Sequence, residues 1–276
     1  NAAKLKVARM GEALPLEFVG ANKDTVRGLV VKPVDFDPGK KYPVAFLIHG
    51  GPQGSFGNRW NFRWNPQTYA GAGYAVVMID FHGSTGYGQA FTDAIRGDWG
   101  GAPYEDLMKG LDAALAKYPW LDGDRMAALG ASYGGYTTLA GVAFTPDLYA
   151  CAIDYVGVAN LFTFMKTIPP YWKPFLEMMT EMVGDAEKDK AQLTTTSPAL
   201  NAERIKTPLF IAQGAKDPRV VKAESDQMVE ALKKRGVAVE YMVKDNEGHG
   251  FRLQENQFEF YEAMEKFLGK HLKAAK

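Results

Sequence analysis

Gly130-Ala131-Ser132-Tyr133-Gly134-Gly135 follows the short apolar run Met126-Ala127-Ala128-Leu129 and precedes small and apolar residues from Tyr136 to Phe144. Strand, Gly-x-Ser-x-Gly, helix is the layout of a nucleophile elbow. The serine of such an elbow sits on a sharp, strained turn, and its neighbours must be small because strand and helix pass close together there. It also lies near a helix N-terminus, whose N–H groups stabilise developing negative charge. An ordinary glycine-rich turn is the competing reading, and the rest of the chain decides between the two.

An elbow serine needs a base, and the base needs an acid. In this chain order the acid and then the histidine follow the serine. Of the four histidines, His49 and His82 precede Ser132. His271 lies in a C-terminal helical pattern beside Lys270 and Lys273 and reads as a solvated residue. His249 remains, in Asn246-Glu247-Gly248-His249-Gly250-Phe251, with glycines on both sides. The buried strand Pro208 to Gln213 runs into the loop Gly214-Ala215-Lys216-Asp217-Pro218-Arg219-Val220 and offers Asp217 as the acid; Asp154, inside the apolar run Ala150 to Val158, is the alternative. The roles expected are Ser132 as nucleophile, His249 as general base and then acid, and Asp217 as the group that fixes the imidazole tautomer.

An oxyanion needs two donors. One is the N–H after the nucleophile, that of Tyr133. The other comes from a loop after an early strand: Val44 to Ile48 runs directly into His49-Gly50-Gly51-Pro52, and Gly51 is the expected donor.

Composition limits the alternatives. Formal net charge is zero and there is no basic stripe, which argues against nucleic acid and anionic membrane as partners. No uninterrupted apolar segment is long enough to span a bilayer. The single Cys151 lies in an apolar strand pattern and reads as a small core residue. One cysteine fits the cytoplasm and does not exclude the periplasm. No His/Cys/carboxylate cluster has zinc spacing, so neither a metal nor another cofactor is expected. Gly83 to Gly88 lacks the Gly-Lys-Ser/Thr ending of a phosphate loop and reads as structural.

Strand and helix patterns alternate along the chain. Leu14–Gly20 and Arg27–Val31 flank Ala21 to Asp24 and read as an antiparallel hairpin. Apolar runs follow at Val44–Ile48, Ala75–Ile79, Met126–Leu129, Ala150–Val156 and Pro208–Gln213, as in strands covered on both faces. Val237 to Val243 alternates like an edge strand. Helical faces run from Pro103 to Tyr118, through Met228, Val229 and Leu232, and through Phe260, Met264, Phe267 and His271. This alternation implies a mostly parallel sheet with helices on both faces, and every candidate loop follows the C-terminal end of a strand. The aromatic and methionine-rich stretch Leu161 to Met182, with Pro169-Pro170 inside it, is expected to wall an apolar pocket.

Taken together, His49-Gly50-Gly51-Pro52, Gly83-Ser84-Thr85-Gly86-Tyr87-Gly88, Asp98-Trp99-Gly100-Gly101, Gly130 to Tyr136, Asp217-Pro218-Arg219-Val220 and Glu247 to Phe251 resemble the catalytic domain of the prolyl oligopeptidase family of serine peptidases. The likeness runs from about Leu14 to Leu272 and is nearest to the acylaminoacyl-peptidase and dipeptidyl-peptidase V-like branch. It implies a single α/β-hydrolase domain over residues 1–276, with an eight-stranded, mostly parallel sheet and an antiparallel N-terminal hairpin. It implies cleavage of short peptides near their N-terminus. It further implies that Arg219 binds a substrate carbonyl and that Val158, Trp172, Phe175 and Val220 build the S1 pocket. His82 departs from the family, where many relatives carry arginine before Gly-Ser. The family's N-terminal β-propeller is not encoded in this chain, which reads either as a fragment of a longer enzyme or as a stand-alone relative, and the start at Asn1 favours a fragment or processed product. As a fragment, the chain would partner its own propeller and otherwise tend to self-associate.

Two other functions compete. A carboxylesterase uses the same triad, since both reactions are acyl transfers through an oxyanion. A catalytically dead hydrolase fold used for binding is the third reading, and the complete set of triad residues and glycine loops argues against it.

Overall fold

The computed structural model describes residues 8–57, 60–61, 63–169 and 171–272. Pro170 of the aromatic stretch lies outside them. The strands are β1 (Ala13–Val19), β2 (Thr25–Val31), β3 (Tyr42–Ile48), β4 (Ala75–Asp80), β5 (Leu121–Ala131), β6 (Cys151–Tyr155), β7 (Leu209–Gly214) and β8 (Val239–Lys244). The helices are α1 (Pro66–Gly71), α2 (Gln89–Asp93), α3 (Ala102–Lys117), α4 (Tyr133–Phe144), α5 (Leu161–Lys166), α6 (Lys173–Val183), α7 (Lys190–Thr196), α8 (Lys222–Lys234) and α9 (Gln254–Leu272).

All eight strands join one sheet in the order β1-β2-β4-β3-β5-β6-β7-β8. The expected hairpin forms, with Ala13 opposite Val31, and β2 continues antiparallel onto β4. Every other pairing is parallel. The sheet is the mostly parallel one that the alternation implied and the α/β-hydrolase architecture that the resemblance implied, with β8 at the edge.

The near-continuous apolar runs have a direct cause. Successive side chains of a strand point to opposite faces, and here both faces are covered. Val44, Phe46 and Ile48 join one core with Leu107 and Leu111 of α3, Tyr136 and Leu139 of α4, and Met228 and Leu232 of α8. Ala45 and Leu47 join the other with Tyr69 of α1 and Phe260, Met264 and Phe267 of α9. Helix α4 is buried from Tyr133 to Ala143, as expected of a helix that is apolar all round. His271 is half-buried rather than solvated, its ring packed 4.6 Å from that of Phe267.

His82 is fully buried after β4. Its Nδ1 meets Asp106 Oδ2 at 2.5 Å and its Nε2 meets Asp24 Oδ2 at 3.1 Å. The imidazole therefore ties the hairpin turn to α3. The Gly83–Gly88 loop is structural: Thr85 N–H donates to Gly54 O at 2.8 Å, and Tyr87 donates to Asp80 at 2.6 Å.

Candidate active site

Ser132 stands between β5 and α4 at φ 59° and ψ −118°. A non-glycine residue with positive φ is strained and persists only where its surroundings hold it. Three glycines make the turn possible. A methyl carbon on Gly130 would lie 2.0 Å from Gly134 O, one on Gly134 would lie 2.2 Å from Ile48 O, and one on Gly135 would lie 2.6 Å from Gly157 Cα. Backbone bonds complete the clamp: Ser132 N–H donates to Tyr155 O at 2.9 Å, and Tyr136 N–H to Ser132 O at 2.9 Å. Tyr133 is buried and donates its hydroxyl to Trp99 O at 2.7 Å, which explains part of the Asp98–Gly101 motif. As the first residue of α4, Tyr133 has an N–H with no acceptor inside the helix.

Asp217 follows β7 and is buried. Its Oδ2 accepts from His249 Nδ1 at 2.7 Å, while its Oδ1 accepts from the N–H groups of Arg219 at 2.8 Å and Val220 at 3.0 Å. These bonds hold the carboxylate in one orientation. The His249 loop, after β8, is braced by Glu247, whose carboxylate accepts from Arg252 N–H and Leu253 N–H at 2.9 Å each and from Asn256 Nδ2 at 2.8 Å. Burial alone would raise the Glu247 carboxyl; the donors of Asn256, Arg252 and Leu253 more than offset it and hold it below the usual range. The loop also passes so close to β7 that a methyl on Gly214 would lie 2.2 Å from Gly248 O.

The two halves face one cavity of about 600 Å³ lined by both Ser132 and His249. Among the described residues no hydrogen bond joins the two side chains. In enzymes without bound substrate, catalytic hydrogen bonds are often long and tighten only in the complex. The His49–Gly51 loop forms a further wall. His49 stacks on Phe81 with ring centroids 4.2 Å apart, and its Nε2 meets Ser84 Oγ at 2.9 Å. Gly50 runs against the elbow, where a methyl would lie 2.7 Å from Ala131 O, and Gly51 takes φ 135° at the cavity. A second strained residue lines the same space: Val156, at φ 50° just after β6. β-branched residues rarely adopt that conformation.

The remaining expected residues separate. Arg219 is exposed and lines the cavity. Val158 and Val220 are buried in the core, and Trp172 and Phe175 are exposed, packed on each other at 5.1 Å; none of the four is among the cavity-lining residues. Asp154 faces Gly135 and Gly157 beneath the elbow, and the carboxylate that bonds His249 is that of Asp217. It is fully buried, neither oxygen has a partner of good geometry, and burial pushes its carboxyl up to about 7 against the opposing Gly157 N–H. Cys151 is buried, its thiol pushed up to about 12 by desolvation.

The apolar wall of the cavity is supplied instead by Phe56, Trp60 and Trp64, with Arg63 among them. Sequence reasoning passed over this segment. Its signal was present, aromatic residues interleaved with Asn and Arg immediately after His49-Gly50-Gly51-Pro52. Among the described residues no helix is long and apolar enough to cross a membrane.

The chain is similar to known peptidases over most of its length. Dipeptidyl aminopeptidase BIII of Pseudoxanthomonas mexicana is 44% identical over 234 residues, covering 83% of this chain and 33% of that protein. Dipeptidyl-peptidase 5 of Schizosaccharomyces pombe is 33% identical over 276 residues, covering 94% of this chain and 40% of that protein. The chain thus spans about a third to two fifths of the length of these relatives. The solved structure of an acylaminoacyl peptidase in complex with Z-Gly-Gly-Phe-chloromethyl ketone superposes on the whole chain with a TM-score of 0.90 at 25% identity, and 44% of that structure is matched. The family model of the prolyl oligopeptidase family matches residues 60–275, taking in the elbow, the Asp217 loop and the His249 loop. The chain belongs to the prolyl oligopeptidase family.

Proposed function

We propose that this chain carries the catalytic apparatus of a serine peptidase that cleaves short peptides near their N-terminus through an acyl-enzyme. The observation that carries the reading is the 2.7 Å hydrogen bond between Asp217 and His249 on the wall of the cavity that also exposes the strained Ser132. Ser132 Oγ attacks the scissile carbonyl and passes its proton to His249 Nε2. Asp217 holds the tautomer with the proton on Nδ1 and stabilises the imidazolium that forms. The N–H groups of Tyr133 and Gly51 receive the oxyanion. Collapse breaks the C–N bond, and His249 returns the proton to the leaving amine. Water, deprotonated by the same histidine, then releases the acyl group. Arg219, exposed at the cavity, binds a carbonyl of the acyl segment. The names of the dipeptidyl peptidase relatives favour release of dipeptides, and the apolar wall of Phe56, Trp60 and Trp64 favours apolar side chains.

The test is fluorophosphonate labelling combined with hydrolysis of dipeptidyl arylamides and matched esters. The label is expected on Ser132, and Ser132→Ala is expected to lose turnover by roughly a million-fold with its fold unchanged. Label on another residue, or near wild-type turnover by the alanine variant, rejects the assignment. Turnover of esters without amides selects the esterase reading.

A further inference from the structure

Among the described residues that line the cavity there are two arginines, Arg63 and Arg219, and no aspartate or glutamate. Arg63 comes from the loop before α1, far in sequence from the triad, yet its guanidinium packs on the His249 loop: a methyl carbon on Gly250 would lie 2.6 Å from Arg63 Nη1. Gly250 itself takes φ 95°, a conformation that favours glycine. Burial raises the pKa of the neighbouring phenols of Tyr155 and Tyr261, and the charge of Arg63 opposes that rise. Arg63 is exposed at the cavity, and among the described residues no ion pair joins it to a carboxylate. An exposed arginine is usually just solvated. This one stands beside the proton-transferring histidine in a cavity without competing carboxylates, and the planar guanidinium matches a carboxylate with two parallel hydrogen bonds.

In the mechanism above, on which this inference rests, His249 delivers its proton to the leaving amine. The nitrogen of the leaving residue is then within hydrogen-bond reach of His249. When only one residue leaves, its own carboxylate begins two bonds beyond that nitrogen. We propose that Arg63 binds this α-carboxylate, which makes it a specificity-determining residue that favours tripeptides with a free C-terminus.

The experiment compares one tripeptide as the free acid and as the C-terminal amide. In wild type, kcat/KM is expected to favour the acid by about tenfold, the size of one charge-assisted hydrogen bond, and the ratio should shrink as ionic strength rises. R63Q should bring the ratio close to one, and R63K should keep part of it. The same pair is titrated into the Ser132→Ala chain, where the ratio of Kd values reads Arg63 without turnover. Hydrolysis that fails while the Kd ratio persists rejects the peptidase reading and leaves Arg63 as the carboxylate site. An acid-to-amide Kd ratio near one in the chain with Arg63 intact, or a ratio that survives R63Q, overturns the proposal.

Discussion

Asp217 and His249 lie 32 residues apart in sequence and meet through one 2.7 Å hydrogen bond, from the imidazole Nδ1–H to Oδ2. The other carboxylate oxygen is held by two backbone N–H groups, so Asp217 cannot turn away. Asp217→Asn offers an amide where the histidine needs an acceptor and disturbs the tautomer. Turnover is expected to fall about 10⁴-fold with the circular dichroism spectrum unchanged. A loss under tenfold would show that another group orients the histidine.

Gly134 is the tightest test of the elbow. A methyl there would lie 2.2 Å from Ile48 O and 2.9 Å from His49 O, both backbone atoms that cannot swing aside. Gly134→Ala must push α4 away from β3 and shift the Gly51 loop with it. A loss of about 1–3 kcal/mol is expected from such overpacking, together with a fall in kcat. Gly71, where a methyl would meet nothing within 4 Å, is the control; Gly71→Ala should leave melting temperature and activity near wild type.

Asp154 carries a pH dependence of stability. Burial raises its folded-state pKa to about 7, above that of an unfolded aspartate. Between roughly pH 4 and 7 the folded chain therefore holds a proton that the unfolded chain has released. Its contribution to stability is fully present below that window and is lost as pH rises through it, at up to about 1.4 kcal/mol per pH unit. Asp154→Asn stays neutral and should flatten this fall. Denaturant midpoints of both proteins from pH 4 to 8 check it: parallel curves would mean that Asp154 is ionised in the fold.

Arg219→Ala should harm peptides more than small esters. Its side chain is exposed at the cavity while its backbone N–H holds Asp217, so truncation removes the donor without unseating the acid. One charge-assisted hydrogen bond to a substrate carbonyl is worth roughly 1.5–3 kcal/mol, or about ten- to a hundred-fold in kcat/KM. A short acyl ester offers no second carbonyl. Equal losses on peptide and ester would point to a structural role.

The eight strands, the helices α3, α4, α8 and α9, the elbow, and the loops of Gly51, Asp217 and His249 are legible in the sequence alone, whereas α1, α2, α5, α6 and α7 are not. Each of the legible features is a local consequence of residue type. Apolar runs must be strands covered on both faces, and Gly130, Gly134 and Gly135 mark where backbones pass too closely for a Cβ. What only the tertiary structure decided are relations between distant segments. Asp154 and Asp217 were both candidates on paper; the strand register sends Asp154 under α4 and leaves Asp217 facing His249. The burial of Val158 in the core, and the exposure of Trp172 and Phe175 at the start of α6, depend on how the segment after β6 folds back, and the burial of Val220 depends on how the loop after β7 packs, which no local pattern specifies. The placement of Arg63 against Gly250 joins residues 187 positions apart in the sequence and is created when the sheet brings the ends of β3 and β8 to the same rim. Local chemistry therefore reveals which residues can react, and long-range packing selects which of them share one cavity.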